Sequence, residues 1–192
     1  MTVAAARQTD RRIQRTRDAL RDALLALMTE RGWEGTSVQD ICERANVARS
    51  TFYLHYNGKD ELLQGGFQSL QMFLQTPADE GIVDVANGNW AGFRFSLGLI
   101  EHAYENRRLF RNMIGRRSGF PVQQRFREMV LRLIDHELPT PTGDLPRAAV
   151  VRQLAAAFTE LVAWSVDQKT PMPAEKLAAA FDRVAVSLLA IG

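Results

Sequence analysis

The chain has 192 residues and a formal charge of +2 at pH 7, a balance too small to indicate nucleic-acid binding by itself. Its single cysteine excludes an internal disulfide and is consistent with a reducing compartment. No apolar run approaches the roughly 20 residues of a membrane span, and the N-terminal apolar stretch is too short for a signal peptide, so we expect a cytoplasmic protein without a membrane partner.

The N-terminal part predicts a flexible tail over residues 1–10 and a first helix over residues 11–31. Apolar side chains recur in this helix at helical spacing and stop before Gly32, which is a typical signal at a helix C-terminus. Arg11, Arg12 and Arg15 crowd the start of the helix, near where a DNA phosphate could lie. A solvated helix face explains each of them equally well.

Residues 36–59 predict two short helices joined by a tight turn, followed by another helix that opens on Lys59. Ser37 and Asp40 fit a capping box, in which each side chain satisfies a backbone N–H at the helix start. Asn46 occupies the turn, and asparagine is among the few non-glycine residues that tolerate a positive φ. Phe52 would close the core between the two helices. Hydroxyls, an aromatic hydroxyl and cations remain on the outer side of the second helix, and such groups contact phosphates and base edges.

This segment resembles the DNA-binding domain of TetR-type transcriptional regulators over residues 11–67. The resemblance is carried by the run Ser37-x-x-Asp40-Ile41-x-x-x-Ala45-x-Val47-x-x-x-Thr51-Phe52-Tyr53-x-His55-Tyr56-x-x-Lys59-x-x-Leu62. Asn46 replaces the usual turn glycine and Cys42 replaces the usual small alanine, and both keep the size and backbone requirements. The remaining two thirds of the chain are similar to the family only in general character, as a helical regulatory domain.

A helix-turn-helix of this kind places its second helix in the major groove of DNA. The residues expected to hold phosphates are Ser37, Tyr53, His55 and Lys59, the last also because a helix N-terminus favours an anion. The expected base readers are Gln39, Arg49, Ser50 and Thr51. Arg49 is the expected guanine reader, because its forked donors match the two major-groove acceptors of that base.

The rest of the chain predicts further helices and no strand-like alternation. The predicted helices cover residues 59–74, 90–104, 107–114, 122–137, 147–168 and 174–191. We therefore expect an all-α fold, with a three-helix DNA-binding domain at 11–58 and a helical ligand-binding and dimerisation domain at 59–192, whose residues 59–74 form a connecting helix. Gly65 and Gly66 lower the stability of that helix by roughly 1 kcal/mol each, and we interpret them as a bend or hinge.

The last two predicted helices are apolar on more than one face, and such helices need more than one packing partner. In the resembling family the corresponding pair packs against its twofold mate as a four-helix bundle, which implies a homodimer. Alternatively, both apolar stripes serve the core of a single protomer. The expected interface residues are Leu154, Phe158, Leu161, Phe181, Val184 and Leu188.

The middle of the chain, residues 67–164, is rich in aromatic side chains and would offer a pocket to a small, largely apolar effector. This expectation rests on the resemblance, because an aromatic stripe at helical spacing is more often simply core. The candidate lining residues are Phe67, Phe95, Leu99, His102, Tyr104, Met113, Phe126, Phe158 and Val162.

No catalytic residue, metal site or cofactor is expected. Glu101 and His102 are adjacent, as are residues 135–137, but neighbours on a helix point about 100° apart and do not converge on one metal. Cys42 lies in the predicted core, where a thiol is inert. The sequence contains no phosphate-binding glycine loop and no serine elbow.

These observations predict a repressor that leaves a pseudo-palindromic DNA operator when a small ligand binds its helical domain. Two alternatives stay open. In the first, the protein binds DNA without a small-molecule ligand and is controlled by a protein partner. In the second, the helix-turn-helix is a vestigial scaffold and the helical domain works as an enzyme or carrier.

Overall fold

The structure is a computed structural model that describes residues 3–75, 92–114, 119–139 and 145–190, with the backbone alone for residues 3–10 and 190. The described residues form helices and no strand, which confirms the all-α prediction. The helices are α1 (Val3–Arg31), α2 (Val38–Ala45), α3 (Arg49–Tyr53), α4 (Lys59–Leu74), α5 (Arg94–Glu105), α6 (Arg107–Ile114), α7 (Phe120–Glu137), α8 (Arg147–Asp167) and α9 (Ala174–Ala190).

The starts of three helices, α1, α5 and α7, differ from the prediction. α1 begins at Val3, not at residue 11, so most of the predicted flexible tail is helical. The run of alanines at residues 4–6 explains the earlier start, because alanine has the highest helix propensity. α7 begins at Phe120 and includes Pro121, since proline is tolerated in the first turn of a helix. α5 begins at Arg94, not at residue 90, and residues 92 and 93 before it are not helical. The loop signals predicted within residues 76–89 lie outside the described residues.

Helices α1, α2 and α3 form one compact unit, here called the head. α1 ends at Arg31. The next residue, Gly32, has a φ of 77° and turns the chain toward α2. Leu24 and Met28 of α1 are buried, as are Ile41 of α2 and Phe52 of α3. These residues form the apolar centre of the head, which is continuous with the core of helices α5 to α9.

Helices α5 to α9 form a second unit, here called the body, and α4 lies between the two. The centre of the body is aromatic: the Phe158 ring lies 5.3 Å from Phe95 and 4.8 Å from Phe181, centre to centre. α4 buries Leu63 and Phe67 and continues without interruption through Gly65 and Gly66. The hinge at these glycines stays a prediction.

Three of the six predicted interface residues belong to the protomer's own core. The side chains of Leu154 and Phe158 are 0% exposed and that of Phe181 is 2% exposed, so they face away from any partner. Both helices carry apolar residues around much of their circumference. The faces with Leu154, Phe158 and Phe181 are buried because α8 packs against α7 and α9 packs against α5. Val184 is 48% exposed, and Leu161 and Leu188 are partly buried.

α8 is long and apolar enough to cross a membrane by length and composition, contrary to our expectation that no segment would be. One such helix is weak support for a span, because core helices have the same composition. The buried residues of α8 include Val150, Leu154, Phe158, Val162 and Val166, which pack inside the body. Its apolar composition is therefore explained by core packing.

Candidate nucleic-acid interface

The start of α2 carries the predicted capping box. The Ser37 hydroxyl accepts the Asp40 backbone N–H at 3.2 Å, and the Asp40 carboxylate accepts the Ser37 backbone N–H at 2.9 Å. Hydrogen bonds from Ser37, with a smaller effect of the nearby Arg31, hold the pKa of Asp40 below its ordinary value. The capping box fixes where α2 begins, and it occupies the hydroxyl that we expected to hold a phosphate.

The turn between α2 and α3 depends on Asn46. Its φ of 53° and ψ of 47° are left-handed, and it is the one non-glycine residue with positive φ among the described residues. This geometry lets the N–H groups of Asn46 and Val47 bond the carbonyls of Glu43 and Cys42, at 3.2 and 2.9 Å. Burial raises the pKa of the Cys42 thiol, which keeps it protonated. The turn therefore sets the angle at which α3 leaves α2.

α3 is anchored on one side and exposed on the other. Phe52 is fully buried, and its ring lies 5.8 Å from that of Tyr56. On the opposite side Arg49 and Ser50 are exposed, and Tyr53 is 51% exposed. The expected base and phosphate contacts on α2, on α3 and just after α3 are here called the reading surface: Gln39, Arg49, Ser50, Thr51, Tyr53 and His55.

The structure brings α2 and α3 together along one side of the reading surface. Gln39 and Arg49 line the same groove of about 430 Å³, which also exposes the Asn46 turn. The Gln39 amide donates to the Glu43 carboxylate at 2.9 Å, so its free carbonyl remains available as an acceptor. The surface offers donors and acceptors on a rigid support, which direct recognition of base edges requires.

The structure gives the Lys59 side chain partners within the protein in place of the phosphate that we predicted. Its ammonium donates to the backbone carbonyls of Trp33 and Thr36, at 3.0 and 2.8 Å, and lies 4.2 Å from the centre of the Trp33 ring. These contacts pull the ammonium toward the α1–α2 turn and away from solvent. A phosphate near α4 would meet backbone N–H groups of the helix N-terminus in place of this side chain.

A small cavity that is partly open to solvent, here called the junction cavity, lies where the head, α4 and the body meet. Its volume is about 80 Å³, and three of the nine predicted ligand residues line it: Phe67, His102 and Met113. Burial lowers the pKa of His102, with Glu105 acting in the opposite direction. The lining residues that sequence reasoning missed are Arg21, Leu24, Leu25, Leu62, Leu63, Gly66, Leu70, Leu109 and Phe110.

The other six predicted ligand residues do not line this cavity. Five are packed in the core of the body: Phe95, Leu99, Phe126, Phe158 and Val162. The sixth, Tyr104, donates its hydroxyl to the Met172 carbonyl at 2.9 Å. The prediction favoured aromatic side chains of the body, whereas the cavity wall is largely aliphatic and includes residues of α1. No group of three or more potential metal ligands occurs within the part of the chain that the structure describes.

Comparison with known proteins finds sequence similarity in the N-terminal part of the chain. The sequence pattern of the family described as bacterial regulatory proteins, tetR family, matches residues 20–65. The uncharacterized HTH-type transcriptional regulator YxbF of Bacillus subtilis strain 168 is 46% identical over 59 residues, which are 30% of this chain and 16% of that protein. The icaADBC negative transcriptional regulator IcaR of Staphylococcus epidermidis is 33% identical over 46 residues, 24% of this chain and 25% of that protein.

The matched part of the chain thus spans a quarter or less of the length of these two relatives. Similarity over nearly the whole chain comes from the fold. A TetR transcriptional regulator from Streptococcus agalactiae superposes with a TM-score of 0.67, at 24% sequence identity, over 94% of this chain and 98% of that one. At this identity the match shows the fold alone.

Proposed function

We propose that this chain, whose residues 20–65 carry the DNA-binding domain of the tetR family of bacterial regulatory proteins, is a sequence-specific transcriptional regulator. The observation that supports this most is the reading surface, with α3 anchored by Phe52 and Arg49 exposed on its outer side. The relatives and solved structures that the chain matches are regulators, so an enzyme or carrier is not supported. A regulator of bacterial genes works in the cytoplasm, where the DNA is.

The test is binding to the DNA that flanks the protein's own gene. Fluorescence anisotropy at one fixed salt concentration would compare this duplex with a scrambled duplex, because salt changes the affinity for any DNA. A preference of roughly 1,000-fold or more is expected for a sequence-specific regulator. Equal, weak binding to the flanking DNA, to the scrambled duplex and to every duplex of a random library would contradict the proposal.

Within this function, we infer repression that is relieved by a small, largely apolar ligand. The junction cavity supports this inference, since Leu24 of the head, Leu63 of the connecting helix α4 and Met113 of the body all line it. IcaR, similar over the head, is a negative regulator. A ligand that enlarges the cavity would move the head relative to the body and weaken operator binding, by a coupling of about 1–3 kcal/mol.

The proposed regulator acts as a homodimer. Twofold symmetry places two copies of α3 in successive major grooves, about 34 Å apart, on a pseudo-palindromic operator. The support comes from outward apolar side chains on α8 and α9, where Trp164 is 46% exposed and Val184 48% exposed. Leu161 and Leu188 lie beside them, partly buried, and complete the expected interface.

One observation favours the alternative of a DNA-binding factor controlled by a protein partner. The junction cavity holds about 80 Å³, whereas ligand pockets usually hold about 300–1,000 Å³. A thermal-shift screen of small apolar molecules separates the two versions. A compound that raises the melting temperature and releases DNA supports the ligand-responsive regulator, and stabilisation only by a protein partner supports the alternative.

A further inference from the structure

The turn between α1 and α2 is held by three elements outside the head. Lys59 of α4 bonds two of its carbonyls, as described above. Asn112 of α6 and Gly119 at the start of α7 reach the same region from the body. The body therefore touches the head at a place that does not depend on α4.

Asn112 completes the C-terminal end of α1. Its side-chain amide donates to the Thr29 carbonyl at 2.9 Å and to the Met28 carbonyl at 3.3 Å. The Met28 carbonyl also accepts the Gly32 backbone N–H at 3.0 Å. The last carbonyls of a helix, here that of Thr29, lack partners within the helix, so a side chain that bonds one of them acts as a cap. Here the cap comes from α6, more than eighty residues away along the chain. The end of α1 is thus fixed to the position of α6.

Gly119 brings the backbone of α7 directly against the turn. A Cβ atom at this residue would lie 2.9 Å from Cδ1 of Trp33 and 2.8 Å from Oε1 of Glu34. Because real Cβ atoms essentially never come so close to another heavy atom, the Trp33 indole and α7 could not keep their present positions with any other residue there. Trp33 is buried and has little room to move, so a displacement of α7 would press on its ring and through it on the turn.

The junction cavity connects these contacts to regulation. α6 lines it with Leu109, Phe110 and Met113, and Met113 directly follows Asn112 in the chain. A ligand of ordinary size does not fit about 80 Å³, so its binding here would push apart the helices that line the cavity, α6 among them. That movement would break or shift the bonds from Asn112 to the end of α1.

We propose that Asn112 is a positioning residue that couples α6 to the helix-turn-helix through the end of α1, alongside the connection through α4. The inference rests on the proposed function, because it concerns how the DNA-reading surface is controlled. With Asn112 bonded, α1 and the α1–α2 turn hold α2 and α3 at the angle that fits DNA. Without these bonds the head samples other angles, and the contacts that distinguish one base sequence from another weaken.

The test compares Asn112→Ala with Asn106→Ala. Asn106 also belongs to the body, but its amide donates to the His102 carbonyl at 3.0 Å, within the body itself. Each variant is measured on the duplex that the wild-type protein enriches from a random library, and on a scrambled duplex. Hydrogen exchange of the amides at residues 38–53 is followed in parallel without DNA.

We expect Asn112→Ala to lose about tenfold in affinity for the enriched duplex, the effect of about one net hydrogen bond, and nothing for the scrambled duplex. Exchange at residues 38–53 should accelerate. Asn106→Ala should change neither. A merely structural role of Asn112 would lower the melting temperature but leave the ratio of the two affinities intact, which overturns the proposal.

A second pair of variants applies if Asn112→Ala does not fold. Gly119→Ala pushes on Trp33, whereas Gly98→Ala in α5 meets only the end of the Leu74 side chain, at 3.2 Å. Faster exchange at residues 38–53 in Gly119→Ala alone supports the coupling, and equal exchange in both variants overturns it. If the wild-type protein enriches no duplex, the proposed function fails, and the exchange measurement still decides whether the body positions the head.

Discussion

The ammonium of Lys59 lies 4.2 Å from the centre of the Trp33 ring and donates to the Trp33 carbonyl at 3.0 Å. One side chain at the start of α4 thereby holds the residue that follows α1, and a second bond reaches Thr36 just before α2. A cation that sequence reasoning assigned to DNA instead joins the head to the connecting helix.

Lys59→Met is therefore expected to destabilise the protein, because it leaves two partly buried carbonyls without a charged donor. The free energy of unfolding should fall by about 1.5–3 kcal/mol, measured by urea denaturation. The slope of log affinity for DNA against log salt should stay unchanged, since the loss of one phosphate contact alters it by about 1. Lys176→Met, at an exposed lysine of α9, is the control for stability. A smaller salt slope in Lys59→Met than in the wild-type protein would show that the Lys59 side chain does contact a DNA phosphate.

The comparison between Lys59 and Asn46 shows what local sequence can predict here. Asn46 and the capping box involve residues no more than four positions apart, so their geometry follows from local chemistry, and both predictions are confirmed. The bonds of Lys59 join residues 26 and 23 positions apart. Nothing in the motif itself indicates that Trp33 competes with DNA for the ammonium.

In the body, too, local sequence predicts the helices but not the contacts between residues far apart in the chain. The helices were predictable from apolar spacing and from glycine and proline signals, and α6 has the predicted bounds. Which face of α8 and α9 is buried could not be predicted, because alanines and larger apolar residues occur on several faces of both helices. Phe158 and Phe181 fill the core because their rings meet those of Phe95 in α5 and of Phe93 just before it. The junction cavity is likewise lined in part by α1, a helix in which we predicted no ligand-binding residue.

Arg49→Ala is expected to weaken binding to the specific duplex and to relax the preference at one base pair. A bidentate contact of arginine with guanine contributes about 1–3 kcal/mol of discrimination, so the affinity for the enriched duplex should fall roughly tenfold or more. A competition assay over all single-base variants of the duplex would measure the change. Arg152→Ala, at an exposed arginine of α8, is the matched control. A loss shared equally by all sequences would make Arg49 a phosphate contact.

Asn46 should tolerate glycine and reject β-branched residues. Its φ of 53° is strained for most side chains, and a non-glycine residue in this conformation costs about 1–3 kcal/mol. We expect Asn46→Val to lower the free energy of unfolding by about that amount, and Asn46→Gly to leave it nearly unchanged. Urea denaturation of the three proteins measures this. Equal stability of the valine and glycine variants would show that the turn has another geometry in solution.

Val184→Asp is expected to separate the proposed dimer. Val184 is 48% exposed on α9, so a carboxylate there costs the folded protomer little, whereas burial between two copies would be unfavourable. Sedimentation velocity should show a dimer for the wild-type protein and a monomer for the variant. Met172→Asp, at an exposed methionine before α9, controls for the added charge. A dimer of unchanged affinity in Val184→Asp would remove this face from the interface.

Two carboxylates hold the start of α5, and both should make stability depend on pH. Glu137 of α7 accepts the Arg94 backbone N–H at 2.7 Å, and Asp182 of α9 accepts that of Phe93 at 3.0 Å. Burial raises the pKa of both groups above their ordinary values, although the backbone hydrogen bonds act in the opposite direction. The folded protein therefore binds more protons than the unfolded chain between the ordinary and the raised pKa.

Because the folded state binds the extra protons, these two groups stabilise it less as pH rises through that window. The window begins at the ordinary values of 3.8 for Asp182 and 4.5 for Glu137 and extends upward. In Asp182→Asn and Glu137→Gln, the amide oxygen still accepts the backbone N–H but does not ionise. We expect the stability of each variant relative to wild type to increase from about pH 4 toward neutrality, measured by urea denaturation at a series of pH values. Glu101→Gln, at an exposed position of α5, provides the baseline. A relative stability that is flat across this range, or that falls, would mean that the two carboxylates ionise as easily in the folded protein as in the unfolded chain.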